Sequence, residues 1–202
     1  ASGDTLTVVM DSSLEAEGKR VGTTYPEMAN DVHPGDRVLF ADGALSGEVS
    51  AVRMEATPPE VDIQIHVGGE LGSHKGINLP GVEMSVPSVT EKDDADLAVG
   101  LDVGVDYVAL SFVRSVADIE ELRQRMHAHG KEVPIIAKIE NRIGVDHLEE
   151  IVAQANGTMV GRGDLGVELP LAQVPQVQKT IIRTTVSNGK PVITATQMLD
   201  SM

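Results

Sequence analysis

A chain of 202 residues with 41% hydrophobic residues, 23% charged residues and a formal charge of −15 has an ordinary globular composition, enough for one large domain or two small ones. The acidic balance excludes a general grip on the phosphate backbone of nucleic acid or on an anionic membrane surface, because both need a basic field. The lack of cysteine excludes disulfides and thiolate metal sites and fits a reducing, cytoplasmic setting, and no run approaches the roughly 18 apolar residues of a membrane span.

The start, Ala1-Ser2-Gly3-Asp4, is not a signal peptide. A missing initiator Met and a stop at Met202 just after an apolar run suggest a piece of something longer. From Ala1 to about Val86 the chain is punctuated by Gly, Pro or Asp roughly every eight to twelve residues. Between the breaks lie short β-rich runs: Leu6 to Met10, Arg37 to Phe40, Glu48 to Met54 and Val61 to Val67. This rhythm predicts a small all-β barrel over residues 1–86. In Val61-Asp62-Ile63-Gln64-Ile65-His66-Val67 apolar and polar residues alternate strictly, as in a strand with one wet face.

From about Pro87 strands alternate with helical segments, the pattern of repeated βα units over a parallel sheet. Thr90-x-x-Asp93 caps a helix running to about Gly104, Asp106 to Val113 reads as a strand, and Val116 to His129 as a helix closed by Gly130. Strand Pro134 to Glu140, helix Val145 to Ala155, strand Thr158 to Arg162, helix Val174 to Ser187 and strand Pro191 to Thr196 complete the series. Four such strands make half of a (β/α)8 barrel, so residues 87–202 are expected to form a partial TIM barrel, with a doubly wound open sheet as the rival.

The strand ends carry the chemistry. In Ile135-Ile136-Ala137-Lys138-Ile139-Glu140 side chains alternate faces, so Lys138 and Glu140 project together at the carboxyl end of a strand otherwise fit for burial. Barrel enzymes place their active sites at that end, although a structural ion pair is the simpler alternative. The next strand runs into Val160-Gly161-Arg162-Gly163-Asp164-Leu165-Gly166, whose glycines let backbone approach a ligand. Asp164 and Glu140 could share one magnesium ion, which favours a few carboxylates completed by substrate oxygens and water. The same segment fits a dinucleotide glycine pattern, but Pro170 follows too soon for a normal helix at the third glycine, and no acidic residue ends a strand about 20 residues on. Ser111 and Thr196 close their own strands and complete a polar cluster above an apolar barrel.

Other features read as structural. Asn156-Gly157-Thr158 fits a glycosylation sequon but is ordinary turn chemistry; His127 and His129 face different directions from a solvated helix; the acidic run Glu91 to Asp96 suits a helix N-terminus.

Three long motifs resemble the pyruvate kinase family in order and spacing. They are Ile136-Ala137-Lys138-Ile139-Glu140-Asn141, Met159 through Glu168, and Gly189-Lys190-Pro191-Val192 with Ala195-Thr196-Gln197-Met198-Leu199. Asn30 through Gly43 and Leu71-Gly72-Ser73-His74-Lys75-Gly76-Ile77-Asn78-Leu79-Pro80-Gly81 resemble that family's lid, which is inserted between barrel elements. The resemblance implies phosphoryl transfer from phosphoenolpyruvate to ADP, giving pyruvate and ATP in glycolysis. It implies that Lys138 stabilises the enolate and the transferring phosphoryl, and that Glu140 and Asp164 hold Mg2+ or Mn2+. The Gly163 and Asp164 backbone would receive the substrate carboxylate, Thr196 would lie near the proton transfer, and Ser111 would lie in the phosphate pocket. Lys75 would contact the nucleotide from the lid, and Asp42 would close the lid over it.

The sequence departs from the family pattern at Gly161 for the usual Ala, Ala137 for Ser, Ala41 for the first Asp of an Asp-Asp-Gly, and His74 for a common Lys. None of these is the lysine or a metal carboxylate. A phosphate-binding Arg, the K+ ligands and an allosteric domain belong to parts of the family outside this chain, and the parent is expected to be a homotetramer. The isolated chain is therefore expected to be inactive. The alternatives are a non-catalytic truncated module that binds metal or nucleotide, and another barrel lyase or aldolase handling a magnesium-bound enolate.

Overall fold

The computed structural model describes residues 1–195. The chain divides into two compact units, with the boundary between Val86 and Pro87. In the first unit β1 (Thr5–Val9), β2 (Arg20–Gly22), β3 (Arg37–Phe40), β4 (Leu45–Arg53), β5 (Glu60–Val67) and β6 (Ile77–Asn78) form one sheet in the order β2-β1-β5-β4-β3-β6. Alternation in β5 is as the sequence dictates: Val61, Ile63 and Ile65 are buried, and Asp62 and Gln64 are not. The buried face packs Val8, Val38, Phe40, Val49 and Leu79 with Met28 of the short helix α1 (Met28–Asp31). The wet face carries cross-strand pairs in register, Arg53 with Glu60 at 2.6 Å and Thr7 donating to Asp62 at 2.7 Å.

The expected all-β barrel differs from this arrangement in two respects. Among the described residues no pairing joins the edge strands β2 and β6, so hydrogen bonding leaves the sheet open. Both edges are very short, and α1 supplies part of the core in place of a strand.

In the second unit β7 (Val108–Leu110), β8 (Ile135–Ile139), β9 (Gly157–Val160) and β10 (Val192–Thr194) are parallel and lie side by side in chain order. A doubly wound sheet would reverse its order at a switch point. No reversal occurs among these four strands. The covering helices also follow chain order: α2 (Glu91–Val103) packs on α3 (Val116–Ala128), α3 on α5 (Leu148–Gln154) and α5 on α7 (Val174–Ser187). Leu97, Leu101, Ile119, Leu122, Met126, Ile151 and Ile181 meet Ile135, Ala137 and Ile139 of β8 in one core. Each Leu, Ile or Met among them contributes about 1.5–3 kcal/mol when fully buried.

Helix boundaries follow local chemistry. Thr90 Oγ1 accepts the Asp93 N–H at 3.2 Å while the Asp93 carboxylate accepts the Thr90 N–H at 2.9 Å, and Gly104 ends α2 at φ 88. The single helix expected over Val145 to Ala155 is instead two. Asn141 caps α4 (Arg142–Asp146) by accepting the Gly144 N–H at 2.7 Å, so the turn begins directly after Glu140, and His147 breaks it from α5. Helix α6 (Arg162–Glu168) was also not foreseen: it opens at Gly161, before the third glycine of its motif, and ends ahead of Pro170. Burial of Leu165 holds it despite two internal glycines. No helix among the described residues is long and apolar enough to cross a membrane.

Candidate functional site

The carboxyl ends of β7, β8 and β9 bring Ser111, Lys138, Glu140 and Asp164 of the second unit together. Because Ile135, Ala137 and Ile139 face the helix layer, Lys138 and Glu140 must point the other way. Lys138 Nζ lies 2.8 Å from Glu140 Oε1 and donates to Ser111 Oγ, in the turn after β7, at 3.0 Å. The pair is asymmetric: the Lys138 side chain is 25% exposed and that of Glu140 3%. The ammonium is thus within reach of solvent or a ligand, and the carboxylate is an internal fixture.

Two features of the Glu140 environment escaped sequence reasoning. Its Oε2 accepts the Phe112 backbone N–H at 2.9 Å, and Phe112 sits at φ 52, the left-handed region a bulky residue rarely adopts. Nothing in Ser111-Phe112-Val113 announces that turn. On the other side the Glu140 side chain lies against the bare Cα of Gly161. Glycine at a strand end signals close approach of some kind, without saying of what. Asn141 was readable in principle as an N-cap preceding Gly144 by three residues; it is buried and also donates to the Val113 carbonyl at 3.4 Å.

Asp164 lies in the first turn of α6, half-buried, and Gly163 immediately precedes it. Burial pushes the Asp164 carboxyl up from its ordinary value, the Glu140 charge pushes it further, and Lys138 partly offsets both. Glu140 and Asp164 are therefore close enough to repel. A divalent cation between two such carboxylates removes the repulsion, and two protein carboxylates leave the remaining positions to substrate oxygens and water, as magnesium favours. No group of three or more His, Cys, Asp or Glu that could form a fuller cage occurs among the described residues. The residues fit a shared Mg2+ or Mn2+. Thr196 lies outside the described residues; the neighbouring Ala195 carbonyl accepts from the Arg162 guanidinium.

Asp42 and Lys75 belong to the first unit. Ala41, Asp42 and Gly43 turn between β3 and β4 at φ 51, 56 and 86, and the Ala41 N–H donates to the Gly76 carbonyl at 3.1 Å. Pairing of Phe40 with Ile77 continues that contact, so the Asp42 turn and the Lys75 loop adjoin at one end of the sheet, both residues exposed. Asn156, read as a turn residue, makes a structural contact: its side chain accepts the Ile135 N–H at 2.9 Å.

Comparison with known proteins gives one consistent result. The family profile described as pyruvate kinase, barrel domain, matches residues 1–202. A pyruvate kinase of Mycobacterium intracellulare is 48% identical over 202 residues, covering 100% of this chain and 42% of the relative. That of Corynebacterium efficiens is 46% identical over 201 residues, covering 100% of this chain and 41% of the relative. A crystal structure of a pyruvate kinase from Cryptosporidium parvum superposes with a TM-score of 0.90 at 34% identity, covering 99% of this chain and 41% of that one. The chain thus spans about two fifths of the length of the relatives it matches.

Proposed function

The chain belongs to the pyruvate kinase family, and from that premise we propose that it carries the catalytic centre for phosphoryl transfer from phosphoenolpyruvate to ADP, yielding pyruvate and ATP. Residues 1–86 are read as the lid and residues 87–202 as half of the catalytic barrel. The observation that carries the reading is the position of Lys138 Nζ, 3.0 Å from Ser111 Oγ and 2.8 Å from Glu140 Oε1, at the carboxyl ends of parallel strands.

In the reaction the bond from phosphorus to the enol oxygen breaks while a bond from an ADP phosphate oxygen to phosphorus forms. Negative charge grows on the enolate oxygen and on the phosphoryl oxygens. Lys138 meets that charge from a fixed position, which is worth more than a mobile cation in water because nothing must reorganise as the charge develops. Ser111 holds the ammonium on its far side and lines the phosphate position. Glu140 and Asp164 would hold Mg2+ or Mn2+, which neutralises charge on phosphoryl and carboxylate oxygens. The N–H groups of Gly163 and Asp164 are the proposed donors to the substrate carboxylate, and Thr196 the group beside the enolate carbon that takes up a proton. Lys75 and Asp42 are the proposed nucleotide contacts. K+, expected in the complete enzyme, has no ligands assigned in this chain.

The test is a coupled assay for pyruvate on the full-length protein. Formation of pyruvate that requires both ADP and a divalent cation supports the reading. Pyruvate formed without ADP would instead indicate a lyase or aldolase acting on an enolate.

A further inference from the structure

The loop from Ser111 to Ser115, between β7 and α3, carries two contacts that orient the site: the Ser111 hydroxyl on Lys138 at 3.0 Å and the Phe112 N–H on Glu140 at 2.9 Å. Phe112 holds its left-handed backbone at φ 52, and such a conformation persists only where the surroundings over-determine it. The Phe112 ring does not supply that hold, being 44% exposed. The grip comes from the residues that follow. The Val113 carbonyl accepts the Asn141 amide at 3.4 Å, the Arg114 carbonyl accepts from His147 Nδ1 at 3.0 Å, and the main chain beyond is held by one buried carboxylate.

That carboxylate is Asp118, 6% exposed in the first turn of α3. Its Oδ2 accepts the Arg114 N–H at 2.6 Å and the Ser115 N–H at 2.9 Å. Its Oδ1 accepts the Ser88 hydroxyl, with the Arg114 guanidinium 3.4 Å away. Helix capping accounts for only part of this. Helix α2 opens with the same kind of box, and there Asp93 stays exposed and accepts the Thr90 N–H and hydroxyl. Asp118 is buried, where a charge is costly unless well paired, and two of its donors, the Arg114 N–H and the Ser88 hydroxyl, lie outside the cap. A cap needs neither. Both the burial and the Arg114 bond serve the loop, two residues beyond the strained Phe112.

We propose that Asp118 is a positioning residue for the catalytic centre: by gripping the Arg114 N–H it sets the turn at Ser111 and Phe112, and through their hydroxyl and N–H it fixes the Lys138 ammonium and the Glu140 carboxylate. The proposal rests on the reading of Glu140 as a carboxylate of the divalent cation. Asp118 touches neither substrate nor cation; it acts through main chain on the groups that do.

The experiment compares wild type, Asp118→Asn, Asp118→Ala, Asp93→Asn and Glu140→Ala in the full-length protein. Three quantities are read: amide hydrogen exchange by mass spectrometry in peptides covering residues 111–115, Mn2+ binding with the free ion followed by electron paramagnetic resonance, and thermal unfolding. Asp118→Asn is expected to speed exchange over 111–115 and to weaken Mn2+ binding about tenfold, the usual result of removing support from a metal ligand. Asp118→Ala should do at least as much, and Asp118→Asn, which keeps the shape of the side chain, decides if the alanine variant does not fold. Asp93→Asn, at the other capping box, should lower the unfolding midpoint and leave Mn2+ affinity unchanged. Wild-type exchange over 111–115 in Asp118→Asn, or wild-type Mn2+ affinity there while Glu140→Ala binds weakly, would overturn the proposal and leave Asp118 a helix cap. Wild-type Mn2+ affinity in Glu140→Ala itself would sink the cation reading instead, and the exchange data alone would then judge whether Asp118 fixes the loop.

Discussion

Lys138 on β8 and Glu140 just past its end form an ion pair of 2.8 Å in which the Glu140 side chain is almost fully enclosed and that of Lys138 is not. A buried pair of this kind adds little stability over apolar side chains of similar size, because desolvation offsets the Coulombic gain. It sits on a strand whose other face is Ile135, Ala137 and Ile139, and the proposed catalytic role of the ammonium would account for it where stability does not.

The two carboxylates should fail together as metal ligands. Replacing either Glu140 or Asp164 by Ala is expected to raise the Mg2+ concentration needed for half-maximal pyruvate formation in the full-length protein, with the far-UV circular dichroism unchanged. Unchanged Mg2+ dependence in both variants would make them a structural pair.

Lys190 tests how the opposite end of the strands is secured. Its ammonium donates to the Val152 and Ala153 carbonyls at 2.6 and 2.7 Å, satisfying the C-terminus of α5, and Lys131 treats the Leu101 carbonyl near the end of α2 alike at 2.7 Å. Lys190→Met should cost about 1 kcal/mol in urea unfolding, as loss of a cation at a helix C-terminus does. Kinetic constants should be retained; a large loss of activity with wild-type stability would mean the residue serves the site.

Asp118 gives a pH dependence. Burial pushes its carboxyl up, but hydrogen bonds from Ser88 and from the Arg114 and Ser115 N–H groups, with the Arg114 charge, outweigh burial and hold it below its ordinary value. A depressed folded-state value means stability that is fully present above the unfolded value and lost as pH falls through the folded one. Wild type should therefore exceed Asp118→Asn in unfolding midpoint at about pH 6, with the gap closing toward about pH 3. A gap that persists unchanged would show that the carboxylate charge contributes nothing.

The 202-residue chain by itself is expected to show no pyruvate kinase turnover. Among the described residues β7 and β10 each pair on one side only, and the chain covers about two fifths of its relatives. Such edges do not close a barrel, and misplacing a reacting group by about 1 Å can cost a hundredfold in rate. Turnover near about 1 per second or faster on dispersed protein would show that a working site assembles from this segment.

What could be read in the sequence was whatever depends on period and on caps. Alternation in β5 and β8 gives their buried faces, and Thr90 with Asp93 and Gly104 bounds α2. Lys138, Glu140 and Ser111 were legible as a cluster because a strand's end and face follow from two-residue periodicity alone. The rest depends on tertiary contact. Helix α6 runs through glycines that disfavour it and is held by Leu165, and β2 and β6 are too short to carry a pattern. The left-handed Phe112 and the space at Gly161 exist only because three strand ends meet at Glu140.

The most direct measurement is the turnover of Lys138→Met against wild type in the full-length protein, with PEP, ADP and Mg2+ saturating and the fold checked by circular dichroism. If the Lys138 ammonium meets the charge of the enolate and phosphoryl oxygens, its loss removes at least about 3 kcal/mol of transition-state stabilisation. That is a fall in kcat of about a hundredfold or more, with a smaller change in KM. A folded variant that turns over within about tenfold of wild type, less than one and a half kcal/mol away, would contradict the assignment of Lys138 as the catalytic cation.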